Sequence, residues 1–134
     1  MEWRARLKLL LDTHALLWWI LDTKELSRKA RTAITSFDNE IFVSAATAWE
    51  IATKSRIGKL PAADPFVHSM TESLDKLGFR ELAISIDHAQ RAGLLPGQHR
   101  DPFDRLLIAQ AQAENLILIS NESIFDDYRV QRLW

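Results

Sequence analysis

Leu7-Lys8-Leu9-Leu10-Leu11-Asp12-Thr13 is the stretch that decides the fold. A short apolar run that stops at a helix cap reads as a buried strand of a parallel sheet feeding a helix, because a strand covered on both faces needs near-continuous apolar residues. His14 to Leu21 continues as that helix, with either Asp12 or Thr13 as its N-cap. The same grammar recurs downstream. Ser27 caps a second helix running to about Phe37, with Ala30, Ala33, Ile34 and Phe37 on one face. Ile41-Phe42-Val43 is β-branched and aromatic and predicts a second strand. Ser44 caps a third helix, Ala45 to about Arg56, ending before Gly58. Asp64-Pro65 opens a fourth, as cap plus first-turn proline, ending at Gly78. Leu82-Ala83-Ile84 reads as a weak third strand, and Asp87 as the cap of a short helix to about Gly93. Asp101-Pro102 opens a long helix to about Asn115, and Leu116-Ile117-Leu118-Ile119 is the clearest strand of all. Val130 and Leu133 fit a last edge strand.

Strands alternating with helices predict an α/β fold around a mainly parallel sheet of four to five strands. The length, 134 residues, predicts a single domain spanning 1–134. Apolar residues make up 47% and charged residues 26%, the balance of a globule that can bury one core. The absence of cysteine excludes a disulfide scaffold, a cysteine-ligated zinc and a cysteine nucleophile, and it is compatible with a reducing cytoplasm. The charged opening Met1-Glu2-Trp3-Arg4-Ala5-Arg6 does not read as a signal peptide. Lys8, Asp12 and His14 interrupt the apolar stretch Leu7 to Leu21, so no membrane span is expected. The net charge of −1 carries no basic excess of the kind that nucleic-acid binding usually shows.

A parallel sheet places its ligand site at the carboxyl ends of its strands. Four segments bring an acid there. Asp12 follows the first strand. Glu50 lies about a turn and a half into the helix after the second. Asp104 lies in the first turn of the long helix, with Asp101 at its cap. Glu122 follows the strongest strand. Each has an ordinary structural explanation. Asp12 and Asp101 can cap helices, Glu50 can pair with Lys54 at i+4, Asp104 can complement the helix dipole, and Glu122 can be a solvated loop acid. Convergence of all four on one edge favours function. Clustered carboxylates repel one another unless a cation is present, and the hard ions Mg²⁺ and Mn²⁺ take oxygen ligands. Such ions activate water and stabilise a phosphodiester in its transition state, so the pattern points to phosphodiester hydrolysis.

At these residues the chain resembles the PIN-domain ribonucleases, in particular the VapC-like toxins of bacterial toxin–antitoxin pairs. The resemblance rests on Leu9 to Trp18 around Asp12-Thr13-His14, on Ser44 to Ile51 with Lys54 and Gly58-Lys59-Leu60, on His99 to Ala111 around Asp101-Pro102-Phe103-Asp104-Arg105, and on Leu118-Ile119-Ser120-Asn121-Glu122. It implies a three-layer α/β/α fold. It also implies that Asp12, Glu50 and Asp104 hold the divalent metal. Glu122 takes the place of a fourth acid that is commonly Asp, and Asp101 is a cap or supports the site from behind. The implied activity is a Mg²⁺- or Mn²⁺-dependent endoribonuclease that cuts RNA without a covalent intermediate. The implied partner is a VapB-like antitoxin, and the implied assembly is a homodimer.

RNA approaching an acidic pit needs cations to meet its phosphates. Lys54, Arg56 and Lys59, together with His99, Arg100 and Arg105, are placed to supply them, and Thr13 and Ser44 are polar positions near the site. Arg105 can equally orient an acid. The five tryptophans fit packing or an interface better than base stacking, and His14 reads as a local hydrogen-bonding residue. Rival readings fare worse. A haloacid-dehalogenase-type phosphatase needs a second Asp where His14 stands. A receiver places its accepting Asp after a middle strand. A nucleotide-binding module needs a glycine-rich loop that no strand here precedes. A family member that binds RNA or protein without cutting stays open.

Overall fold

A computed structural model describes residues 6–97 and 99–134. The charged opening Met1 to Ala5 lies outside the described residues. The elements are β1 (Lys8–Leu11), α1 (Thr13–Ile20), α2 (Arg28–Thr35), β2 (Glu40–Ser44), α3 (Ala45–Arg56), α4 (Asp64–Val67), α5 (Met70–Leu77), β3 (Arg80–Leu82), α6 (Ile86–Leu94), α7 (Pro102–Glu114), β4 (Ile117–Ile119) and β5 (Arg132–Leu133), with 3₁₀ turns at Pro61–Ala63 and Ser123–Asp127. The five strands form one sheet in the order β3-β2-β1-β4-β5. Every pairing is parallel rather than mainly so.

β1 is central. Leu9, Leu10 and Leu11 are all fully buried, which explains the unbroken apolar run. Leu9 and Leu11 pack on one side with Leu16, Ile34, Ile51, Phe66 and Leu74. Leu10 faces the other side, against Leu107, Ile108, Leu118 and Phe125. The two clusters fill the spaces between the sheet and the helices on its two faces, as in an α/β/α sandwich. Burying each such side chain stabilises the fold by roughly 1.5–3 kcal/mol.

Asp12, not Thr13, caps α1, and its Oδ1 accepts from the Ala15 amide at 2.8 Å. Ser44 caps α3 and Asp101 caps α7, as their sequence positions predict. Six expectations are corrected. α2 ends at Thr35, so Phe37 lies beyond it and is 101% exposed rather than on the apolar face. The helix expected from Asp64 to Gly78 breaks at His68-Ser69, where the Ser69 hydroxyl turns back to the Pro65 carbonyl at 2.8 Å. Asp64 is not its cap; it accepts from the Ser55 hydroxyl at 2.6 Å. The third strand is Arg80–Leu82, two residues early, because an edge strand needs only backbone pairing with Phe42 to Ser44. α6 is capped by Ser85, whose hydroxyl accepts from the His88 amide while the His88 ring accepts from the Ser85 amide. Of Val130 and Leu133, only Leu133 pairs in β5.

Candidate active site

The carboxyl ends of β1 and β4 lie side by side, with the Asp12 amide bonded to the Ile119 carbonyl at 3.1 Å. This register sets Asp12 beside the turn that carries Ser120 and Glu122. Asp12 is buried, and its burial pushes its pKa from 3.8 up to about 6. Hydrogen bonds from the Ser120 hydroxyl and the Ala15 amide oppose that rise, and the nearby charge of Glu122 adds to it. Asp104 is also pushed up to about 6, first by burial and then by the charges of Asp101 and Glu122, against a hydrogen bond from His99. Glu122 therefore acts on both Asp12 and Asp104. The three carboxylates come from the end of β1, the turn after β4 and the first turn of α7.

Glu50 is also buried, but both its oxygens are engaged. Oε1 accepts from the Thr13 hydroxyl at 2.5 Å, and Oε2 pairs with Lys54 Nζ at 2.7 Å. Thr13 thus ties Glu50 to the segment of Asp12. Among the described residues, no three His, Asp or Glu side chains stand close enough together to form a ready ligand shell. Asp101 spends its carboxylate on the amides of Phe103 and Asp104, at 2.9 and 3.2 Å, and so fixes the start of α7.

Two of the expected substrate contacts are corrected. Ser44 is fully buried, and its hydroxyl donates to Gln110 Oε1 at 2.5 Å, so it holds α3 to α7 instead of facing a substrate. Among the described residues, no acid pairs with Arg105. Its guanidinium donates to the carbonyls of Ala92, Gly93, Leu95 and His99, at 2.6–3.5 Å. Lys54 is paired with Glu50, while Arg56, Lys59 and Arg100 are exposed.

The expectations also missed two roles. His99 Nε2 lies 2.8 Å from Asp104 Oδ2, and its ring meets Phe125 edge-on. His14 Nδ1 lies 3.4 Å from Glu122 Oε1. Neither pairing has a signal in sequence spacing. His99 reaches Asp104 across the segment that Arg105 fastens, and His14 reaches Glu122 only because β4 lies next to β1. Of the tryptophans, Trp19 packs on Phe79 and beneath Arg31. Trp49 is 61% exposed and meets Phe103 edge-on, joining α3 to α7.

The pattern has relatives. Ribonuclease VapC22 of Mycobacterium tuberculosis is 28% identical over 124 residues, covering 92% of this chain and 93% of that protein. Ribonuclease VapC16 of the same organism is 38% identical over 64 residues, which span 48% of this chain and only 44% of that protein. Among solved structures, a toxin–antitoxin complex from Klebsiella pneumoniae contains a chain that superposes with a TM-score of 0.60 at 22% identity, covering 85% of this chain and 86% of that one. That likeness is one of fold. The family model for the PIN domain matches residues 9–131. The chain belongs to the PIN-domain family.

Proposed function

We propose that this chain, one domain over residues 1–134, is an endoribonuclease toxin that hydrolyses RNA phosphodiester bonds with Mg²⁺ or Mn²⁺ and is neutralised by a VapB-like antitoxin. The observation that carries the reading is that the charge of Glu122 bears on both Asp12 and Asp104, each of which burial pushes up to about 6. A fold gains nothing by crowding carboxylates at a sheet edge, whereas a hard divalent cation takes such oxygen donors. Asp12, Asp104 and Glu122 would hold the ion, and Glu50 would join them by releasing Thr13 or Lys54. When bound, the ion supplies Lewis acidity and a nucleophilic water at neutral pH.

The chain's own residues orient the acids. The Ala15 amide and the Ser120 hydroxyl hold Asp12, and His99 holds Asp104. Thr13 and Lys54 hold Glu50. The exposed cations Arg56, Lys59 and Arg100 are the groups to meet RNA phosphates. Relatives that bear the name ribonuclease VapC support the activity, and the likeness to a chain of a toxin–antitoxin complex supports the partner. A homodimer in the cytoplasm belongs to the same reading. Among the described residues, no helix is long and apolar enough to cross a membrane.

The engagement of Glu50 with Lys54 favours one second reading, a family member that binds RNA or protein without cutting. A cleavage assay separates the two. The purified chain is expected to cut structured RNAs with Mg²⁺ or Mn²⁺ and not with EDTA, and Asp12→Asn or Asp104→Asn to abolish cleavage without unfolding. Equal rates in the variants would overturn the nuclease assignment.

A further inference from the structure

His14, in the first turn of α1, is two residues from Asp12 and has a side chain 50% exposed. Its ring lies nearly parallel to that of Trp18, one helical turn on, with centroids 5.4 Å apart and planes 17° from each other. Trp18 in turn tilts against Trp134, at 5.7 Å and 57°. Both indoles pack on the core cluster that holds Leu9 and Leu11. The stack is therefore anchored in the core at one end and ends in solvent at the other. With one face of the imidazole turned to Trp18, the opposite face lies outside that stack. The ring's Nδ1 lies 3.4 Å from Oε1 of Glu122. An aromatic face is thus held ready at the rim of a field of carboxylates.

That field repels the phosphodiester backbone it is to act on, so the affinity for a strand must come partly from contacts indifferent to charge. Stacking of an unpaired base on an aromatic side chain is such a contact, and histidine serves in it. We propose that the outer face of His14 is a stacking platform for one unpaired nucleobase beside the scissile phosphodiester. The proposal rests on the nuclease reading and names how that site positions its substrate. His14 is a positioning residue in it.

The test uses the full chain and a set of short single-stranded RNAs that share one cleavage site, with an abasic residue placed in turn at each flanking position. For the wild type, removing the base at one position is expected to lower kcat/KM by roughly 5- to 100-fold, the effect of one stacked base. His14→Phe, which keeps a ring, should retain that penalty. His14→Gln, which keeps a hydrogen bond but no ring, and His14→Ala should lose it while melting near the wild-type temperature. The same penalty in His14→Ala as in the wild type, or a His14→Phe that behaves like His14→Gln, would overturn the platform.

If the wild type cuts none of the RNAs, the nuclease reading fails by itself. A non-cleavable 2′-O-methyl oligonucleotide then tests the platform by NMR. Upfield shifts of the His14 ring protons with the intact but not the abasic strand support it, and their absence overturns it. Weakened binding of the antitoxin by His14→Ala, with every RNA reading unchanged, would make the stack a protein contact and overturn it too.

Discussion

Lys54 Nζ lies 2.7 Å from Oε2 of Glu50, and the Thr13 hydroxyl holds the other oxygen. A buried acid in this family's fold is thus neutralised from within its own helix. Lys54 and a divalent cation would compete for the same carboxylate. Lys54→Met is expected to tighten Mn²⁺ binding severalfold in calorimetric titration. It should cost on the order of 1–3 kcal/mol of stability, since it leaves the buried Glu50 carboxylate with Thr13 as its remaining partner. Unchanged or weaker Mn²⁺ affinity would show that Glu50 takes no part in ion binding.

Acid should stabilise the metal-free protein. Burial first of all raises Asp12 and Asp104 from 3.8 to about 6. Between those values the folded chain binds more protons than the unfolded one, so stability from these groups is lost as pH rises through about 6 and is fully present below about 4. For Asp12, the more buried of the two, the contribution is on the order of 2–3 kcal/mol. Thermal melts in EDTA across this range should show Tm falling as pH rises. Asp12→Asn, which keeps the helix cap, should flatten the profile and raise Tm above about pH 7. A profile unchanged by that substitution would contradict the assignment.

Arg105 closes the carboxyl end of α6 and the segment that follows, and through the His99 backbone it sets the ring that holds Asp104. Arg105→Ala should cost on the order of 1–3 kcal/mol, because several partly buried carbonyls lose a charged donor together. Arg105→Lys should recover little of this, since an ammonium cannot fork across separate carbonyls. Urea unfolding of both variants is the measurement, and full rescue by lysine would refute the clamp.

Gln110 is fully buried and joins three elements. It accepts from Ser44 and donates to the Ala83 carbonyl at 3.2 Å, with the His88 ring 3.4 Å away. Gln110→Leu keeps the bulk but strands the Ser44 hydroxyl and that carbonyl, at about 1–3 kcal/mol. Chemical denaturation should report a lower midpoint with an unchanged slope. A midpoint equal to the wild type would mean that the network relaxes freely.

What could be read from the sequence was local. β1, α1, β2, α3 and α7 announce themselves because a buried strand needs consecutive apolar residues, and because Asp12, Ser44 and Asp101 cap at the junctions. β3 was displaced because its pairing with β2 is made by backbone, whose register leaves no mark on an edge strand such as Arg80-Glu81-Leu82. The cap of α6 was misplaced because His88 fills the place where a capping box ordinarily has Glu or Gln. The choice of the four acids as candidates followed from the strand-end rule. What their neighbours do did not. Ser44 meets Gln110 across 66 residues, and His14 meets Glu122 only through the sheet. Such contacts belong to tertiary geometry, which no local spacing encodes.

The strand order has a consequence for how the chain is made. β4 pairs directly with β1, although more than a hundred residues separate them, and Glu122 lies beyond β4. Asp12 and Glu122 therefore come within reach of each other's charge only through the longest loop closure in the sheet. No partly synthesised chain that lacks β4 can assemble them. A ribosome-bound intermediate would carry the buried acids without their common edge. The site becomes complete only as the final strands dock, which makes its assembly a late and cooperative event in folding.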